Sequence, residues 1–421
     1  MTGHEMNPGP PTAFAALDRS LDRWSDELTG LACDLIAINS QIPPDGEEVA
    51  VVAHLRGVLG SYGLPVGDVL AAQPERPNLV VTVPGTGDGR RLMLNGHVDT
   101  KPVGAAGHLW TTDPLVPQIV DGYLHGLGAS DMKAACAAMI MALRAAREVV
   151  GDLPGDVTLA FAADEEAGAR LGSRVLAPLI ADRADVCLIG EPSGWETDFQ
   201  ALHLVSRGLL CFTIEVAGTQ QHSSLSDRMP SINASVKMAG LITALSQFTG
   251  FSFRPHPLGD VRPTLNVGVV VEGGVYYGVT PGSARFACDL RALPGMTESS
   301  VLADLQGWLD AQTAADPDLR ATIAVEPELP WIPPSEISPD HPLVEILQTH
   351  AGQVLGTPPP LGIFPGGTDA PWFDLAGLPT VPSFGPGVLT WCHGPNERVK
   401  VDAILQAAKI YARTIAAYAG G

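Results

Sequence analysis

No CxxC pair occurs in this chain, and its six cysteines are scattered at Cys33, Cys136, Cys187, Cys211, Cys288 and Cys392. Most of them sit inside apolar runs. That excludes a disulfide framework and reads as buried free thiols in a reducing compartment. An uninterrupted apolar stretch of about 18 residues is also missing, so no transmembrane helix is expected. The opening MTGHEMNPGPPTAF has neither a basic n-region nor an apolar h-region, so it does not read as a signal peptide. Its Pro and Gly predict a disordered tail over residues 1–11. Basic residues are few: 25 Lys and Arg against 46 Asp and Glu, a net charge of -21. That argues against a nucleic-acid partner, whose phosphates need Lys and Arg. The excess suits a solvated acidic surface, and would also suit a cationic substrate. There is no internal repeat and no long low-complexity segment. These absences leave a cytoplasmic globular protein with no membrane or nucleic-acid partner.

What is present is a chain of 421 residues, 45% hydrophobic and 17% charged, enough for two to three domains with a large core. Helix-period apolar residues run from about Thr12 to Ala37, and again from about Glu47 to Leu59, stopping near Gly60 and Gly63. Strands then alternate with helices. NLVVTV, RLMLNG, VTLAFAA and VCLIG read as strands, and Asp131 to Val150 as an Ala- and Met-rich helix. Continuous apolar strands in a β/α alternation predict an α/β fold with a mostly parallel sheet covered on both faces. From about Leu204 the pattern changes. SRGLLCFTIEVAG, Pro230 to Gln247, PTLNVGVVVEGG, SARFACDLRAL, Thr297 to Ala314 and LRATIAVEP follow the order β-α-β-β-α-β of a split ferredoxin-like unit. An inserted domain over 205–325 is expected, dividing a first domain into 12–204 and 326–421. Helix 342–355, a strand around PTVPSF and a last helix from about Val401 complete that first domain.

Five metal-type side chains lie in five short motifs. They are His97 in NGHVDT, Asp131 in SDMKAA, Glu166 in ADEEAG, Glu191 in IGEPS and His393 in CHGPNE. Two imidazoles and three carboxylates suit two Zn²⁺ ions if one carboxylate bridges them. His97, Glu166 and Glu191 follow apolar strands, where open α/β sheets place their sites. Asp131 would bridge, or would simply cap a helix. Two adjacent glutamates beside a buried strand repel each other unless something positive is near. If Glu166 binds a metal, Glu165 is free to act as a base; otherwise the pair is a solvated acidic loop. Asp99, two residues after His97, would hold the other ring nitrogen of that imidazole. Each motif alone is weak, and Cys392 is not needed to complete the set. The whole set in this order points to metal-assisted hydrolysis.

These motifs carry a resemblance. NGHVDTKPVG, GLGASDMKAA, ADEEAG, IGEPS, VAGTQQHSS, TLNVGVVVEGG, DLRALPG, FPGGTDAPWF and SFGPG…CHGPNERV span about residues 30 to 415. Together they resemble the dinuclear-zinc family of acetylornithine deacetylase, succinyl-diaminopimelate desuccinylase, aminoacylase and glutamate carboxypeptidase. The resemblance implies a zinc hydrolase domain with an inserted lid that dimerises. It implies one zinc on His97 and Glu191, the other on Glu166 and His393, with Asp131 bridging and Glu165 as general base and acid. Co²⁺ or Mn²⁺ would be possible substitutes. It further implies that His222 of the lid stabilises an oxyanion in the partner subunit. Arg291 and Asn266, with Arg207, match lid positions that contact substrate, and Gly367 and Thr368 would line the pocket. Two departures stand out. The motif after the bridging aspartate is DMKAA where the family often has DMKGG, which bears on helix packing. The fourth motif carries Glu191 where some peptidase relatives have Asp, which leans towards a deacylase. The activity implied is hydrolysis of an N-acyl amino acid or related N-acyl amine. The alternative within the family is a dipeptidase or carboxypeptidase. A non-catalytic dimeric ligand-binding relative is the alternative of another class, but it would have lost the base or a ligand, and all are present.

Overall fold

The computed structural model describes residues 11–327, 329 and 331–421. Of the tail expected at 1–11, only Pro11 is described, and it opens a helix; the rest lies outside the described residues. The chain forms two compact units. One takes in the chain up to Ser206, then Glu336–Phe364 and Thr368–Gly421; the other is Arg207–Ser335 with Pro365–Gly367.

The first unit is built on a six-stranded sheet. Its strands are β1 (Asp68–Leu70), β2 (Asn78–Val83), β3 (Leu92–His97), β4 (Val157–Ala162), β5 (Val186–Ile189) and the short Thr380–Val381. They lie in the order β1-β2-β4-β3-β5, with Thr380–Val381 beyond β5. The pairs β4/β3, β3/β5 and β5 with Thr380–Val381 are parallel; β1 and β2 add an antiparallel edge. Every residue of β3, β4 and β5 is buried, as expected of parallel strands covered on both faces.

Helices α1 (Pro11–Arg23), α2 (Ser25–Ala37), α3 (Val49–Ser61) and α4 (Ala134–Val149) belong to this unit, as does the helix Val401–Tyr418. The single helix expected over 12–37 is broken at Trp24, which has φ -102° and ψ 16°. Ser25, Asp26 and Glu27 begin a new helix there, with two carboxylates placed favourably at its positive end. Helix α4 is buried over most of its length, its first residues Ala134 and Ala135 included. Close approach of its start to β3 depends on Gly96. A Cβ there would lie 2.7 Å from Met132 Cε and 2.9 Å from Cys136 Sγ.

In the second unit, β6 (Gly208–Ala217), α5 (Ala234–Leu245), β7 (Thr264–Gly273), β8 (Ser283–Ala292), α6 (Glu298–Ala315) and β9 (Arg320–Val325) follow one another. The sheet order is β7-β8-β6-β9, antiparallel throughout. This is the split β-α-β-β-α-β arrangement. Period-two alternation turns Leu210, Phe212, Ile214 and Val216 of β6 and Phe286, Cys288 and Leu290 of β8 to one face. There they pack with Leu241, Val301, Leu305 and Leu309 of the helices. The strand expected from residue 206 is in fact two: Leu202–Ser206 pairs in parallel with Leu361–Phe364 in the first unit, and β6 starts at Gly208. Among the described residues, no helix is long and apolar enough to cross a membrane.

Candidate active site

Three of the five candidate ligands sit at carboxyl ends of neighbouring strands. His97 is the last residue of β3, Glu165 and Glu166 form a 3-10 turn just after β4, and Glu191 follows β5. Asp131 is not on a helix as expected. It lies in an irregular turn, Ala129–Lys133, with φ -126° and ψ 89°, and α4 begins only at Ala134. His393 has φ +58°, in the left-handed region that few non-glycine residues adopt.

The five come together around Asp131. His97 Nε2 is 2.9 Å from Asp131 Oδ1 and 3.5 Å from Glu191 Oε1. His393 Nε2 is 3.1 Å from Asp131 Oδ2 and 3.1 Å from Glu166 Oε2. The donors thus sort into two imidazole–carboxylate pairs, each facing one oxygen of the same aspartate. Donors held at zinc distances in a tetrahedron lie about 3.3–3.6 Å apart, so the spacing suits a small dication in each triplet. Ligand atoms of His97, Asp131 and Glu166 lie within 4.8 Å of one another, as do those of His97, Glu165 and Glu191.

The orienting contact of His97 comes from Asp99, but from its backbone. His97 Nδ1 lies 3.0 Å from the Asp99 carbonyl and 3.6 Å from its carboxylate. The carboxylate is occupied elsewhere, accepting the N–H groups of Glu165 (3.2 Å) and Glu166 (3.0 Å). Asp99 therefore ties the β3 end to the glutamate turn.

The electrostatics are those of crowded buried carboxylates. Burial, joined by the charges of Glu166 and Asp369 and opposed by His97, pushes Glu165 well above the usual carboxylate range. Burial and the Asp131 charge do the same to Glu191. Against its own burial penalty, Asp131 is held far down by the two imidazoles. Against theirs, Asp131 and its neighbouring carboxylates raise His97 well above its ordinary value and His393 to about 10. A divalent cation is the ordinary partner for such a set.

Several supporting residues carried no signal of their own in the sequence. Lys101, inside the motif NGHVDTKPVG, reaches Glu166 Oε2 at 3.2 Å. Asp164, inside ADEEAG, has φ +62° and heads the glutamate turn. It pairs at 3.1 Å with buried Arg76, which also forks onto buried Glu48. Asp369, next to Thr368, accepts the Ser173 hydroxyl at 2.6 Å, and burial raises it to about 7. Only the fold shows these: their partners lie far away in sequence.

Thr368 is a buried residue of the first unit and caps the turn into Ala370 through its hydroxyl, at 3.2 Å. Arg207, His222, Asn266, Arg291 and Gly367 belong to the second unit. There Arg291 pairs in register with Leu209 of β6 and Thr264 of β7, and Asn266 with Asp289. Asn266 donates to Asp289 at 2.9 Å, and Arg207 reaches the Thr264 hydroxyl at 3.3 Å. His222 is exposed, and its Nδ1 accepts the Ser224 N–H at 3.3 Å.

Comparison with known proteins agrees with this geometry. The model of peptidase family M20/M25/M40 matches residues 93–417. A succinyl-diaminopimelate desuccinylase of Xanthomonas euvesicatoria pv. vesicatoria (strain 85-10) is 32% identical over 401 residues, 92% of this chain and 98% of that one. An N-formyl-4-amino-5-aminomethyl-2-methylpyrimidine deformylase of Bacillus subtilis (strain 168) is 26% identical over 420 residues, 94% of this chain and 95% of that one. The fold is shared with human carnosine dipeptidase 1, at TM-score 0.74, 19% identity and coverage of 98% and 100%. It is also shared with the Bacillus subtilis YXEP protein, a dinuclear metal binding peptidase from M20 family, at TM-score 0.66, 17% identity and coverage of 93% and 98%. The chain belongs to peptidase family M20/M25/M40 and is a metal-binding hydrolase of amide bonds.

Proposed function

We propose that the protein is a deacylase that cleaves the amide of an N-acyl amino acid or related small N-acyl amine, using two Zn²⁺ ions that Co²⁺ or Mn²⁺ would replace. The observation that carries the reading is the sharing of Asp131 between two imidazole–carboxylate pairs. His97 and Glu191 would hold one ion, His393 and Glu166 the other, with Asp131 between them. When bound, the ions would polarise the amide carbonyl and acidify the attacking water. Glu165 accepts the proton of that water as its oxygen bonds to the carbonyl carbon. It then delivers the proton to the leaving nitrogen as the C–N bond breaks, giving a carboxylic acid and an amine. Asp99 holds the Glu165 backbone and the His97 ring in register.

The second unit would serve the substrate. With Nδ1 of His222 engaged as an acceptor, the neutral ring carries its proton on Nε2, a donor suited to a tetrahedral oxyanion. We assign it to the site of a partner subunit. Arg207 is desolvated and faces the like charge of Arg291, a pair that a substrate carboxylate would neutralise. Asn266, Gly367 and Thr368 complete the proposed contacts. Homodimerisation through this unit is supported by the edge strand β7, whose exposed Val269, Val270 and Val271 leave it open to pairing with a second copy. A cytoplasmic location accords with six free cysteines.

The desuccinylase and the deformylase, each covered almost end to end, favour the deacylase reading. The second reading, a dipeptidase, is favoured by the fold shared with human carnosine dipeptidase 1. The test is hydrolysis by metal-stripped protein, with and without added Zn²⁺ or Co²⁺, on a panel of N-acyl amino acids and dipeptides. Metal-restored release of amines from the N-acylated panel is expected. Activity confined to dipeptides would move the assignment to peptidase, and full activity without metal would overturn it.

A further inference from the structure

Glu397 does nothing in the reading above, yet it is buried to 2% exposure four residues after His393. Its carboxylate accepts three backbone N–H groups from one turn: Gly128 at 3.0 Å on Oε2, and Ser130 at 2.9 Å and Asp131 at 3.0 Å on Oε1. Its own carbonyl takes a fourth, from Gly126 at 3.0 Å. The next residue accepts the Ser130 hydroxyl at 2.7 Å. The turn it holds is irregular. Gly128 has φ +79°, and a Cβ there would meet Thr100 Cγ2 at 2.6 Å. Such a turn cannot satisfy its N–H groups through helix or sheet, so an outside acceptor must.

The acceptor is a carboxylate for a chemical reason. Three donors converge on two oxygens. A glutamine would present one oxygen and turn its own NH₂ group against a donor. A carboxyl group buried next to Asp131 is costly in itself, so the arrangement is kept for what it positions. It positions both ends of one bridge. The Asp131 peptide hangs from Glu397 Oε1, while the Asp131 side chain spans from His97 to His393. His393 lies on the same short segment as Glu397. One side chain therefore sets where Asp131 sits relative to the His393 loop.

We propose that Glu397 is a positioning residue for the dinuclear centre: it fixes Asp131 and the His393 loop as one body and so sets retention of the ion on the His393–Glu166 side. This rests on the two-metal reading given above. The half it governs is the more open one, since the His393 side chain is 47% exposed and that of His97 1%.

The test is a Co²⁺ titration of metal-stripped wild type and Glu397→Gln, followed by calorimetry and by the visible d–d spectrum. Circular dichroism would report the fold. Wild type is expected to take two ions. Glu397→Gln should take one as wild type does and hold the second about 10–100-fold more weakly, with changed d–d bands. Should Glu397→Gln fail to fold, Glu397→Asp decides: it keeps both carboxyl oxygens but falls one methylene short, and should also weaken the second ion. Two tightly held ions with an unchanged spectrum in the folded variant would overturn the proposal. A wild-type protein that takes fewer than two ions would sink the two-metal reading itself, which is a distinguishable result.

Discussion

Arg76 is buried and Arg207 half-buried, one in each unit, and their surroundings are opposite. Arg76 is 4% exposed and meets two buried carboxylates, Glu48 and Asp164. Against its burial penalty, those charges raise its proton affinity further. Among the described residues the Arg207 side chain bonds only the Thr264 hydroxyl, at 3.3 Å, and its Nε is buried and unbonded. Burial and the charge of Arg291 lower its pKa. A buried charge that is fully paired within the protein holds structure together, here the turn carrying Glu165 and Glu166. One left short of an anion among the described residues suits the substrate carboxylate proposed above.

In the mechanism proposed above, the turn held by Arg76 presents Glu165. Glu165→Gln should lower turnover by about 10²–10⁴-fold with fold and metal content unchanged. Near-normal turnover would remove the base from the mechanism. Arg76→Met should cost about 3–5 kcal/mol in urea unfolding, because it strands two buried carboxylates. Adding Glu48→Gln should restore part of the loss; no restoration would mean that the charges are not what Arg76 serves.

His203 tests the same rule with a titratable group. Burial lowers it from the ordinary 6.5 to about 4. One ring nitrogen meets the Ser383 hydroxyl at 3.1 Å and the other has no partner among the described residues. It is folded in neutral form, so its contribution is present above 6.5 and lost as pH falls towards 4. Wild type should therefore lose about 2 kcal/mol more than His203→Gln between about pH 7.5 and about pH 5. Equal losses would show that this imidazole is not coupled to folding. Last, Arg207→Met should leave stability within about 1 kcal/mol, because no buried carboxylate is stranded, yet raise KM for a carboxylate-bearing substrate about tenfold. A stability loss as large as that of Arg76→Met would erase the contrast.

Much of the frame was legible. NLVVTV, RLMLNG, VTLAFAA and VCLIG announce themselves because a strand covered on both faces has no polar side to interrupt it. Their ends therefore located His97, Glu165, Glu166 and Glu191 in the fold. Asp131 was misread as a helix start because an irregular turn has no periodicity to detect, and a carboxylate before an alanine-rich helix imitates a cap. The break at Trp24 was hidden because both halves share apolar spacing. Glu48 lay at the start of the helix expected from about Glu47, and nothing local to it showed that it is fully buried against Arg76. Glu397 was visible as a letter of CHGPNE, but what it accepts lies 266 to 269 residues away.

By itself, the sequence determined which donors exist, their chemical kind, and which of them end strands, because periodicity and residue type are local properties of a chain. It did not determine that Asp99 orients His97 through its carbonyl and keeps its carboxylate for the glutamate turn. Nor did it determine that, among the described residues, Arg76 is paired with carboxylates and Arg207 is not. Those were decided by tertiary structure, because hydrogen bonds and ion pairs act over about 3 Å, and only the folded chain brings groups so distant in sequence that close.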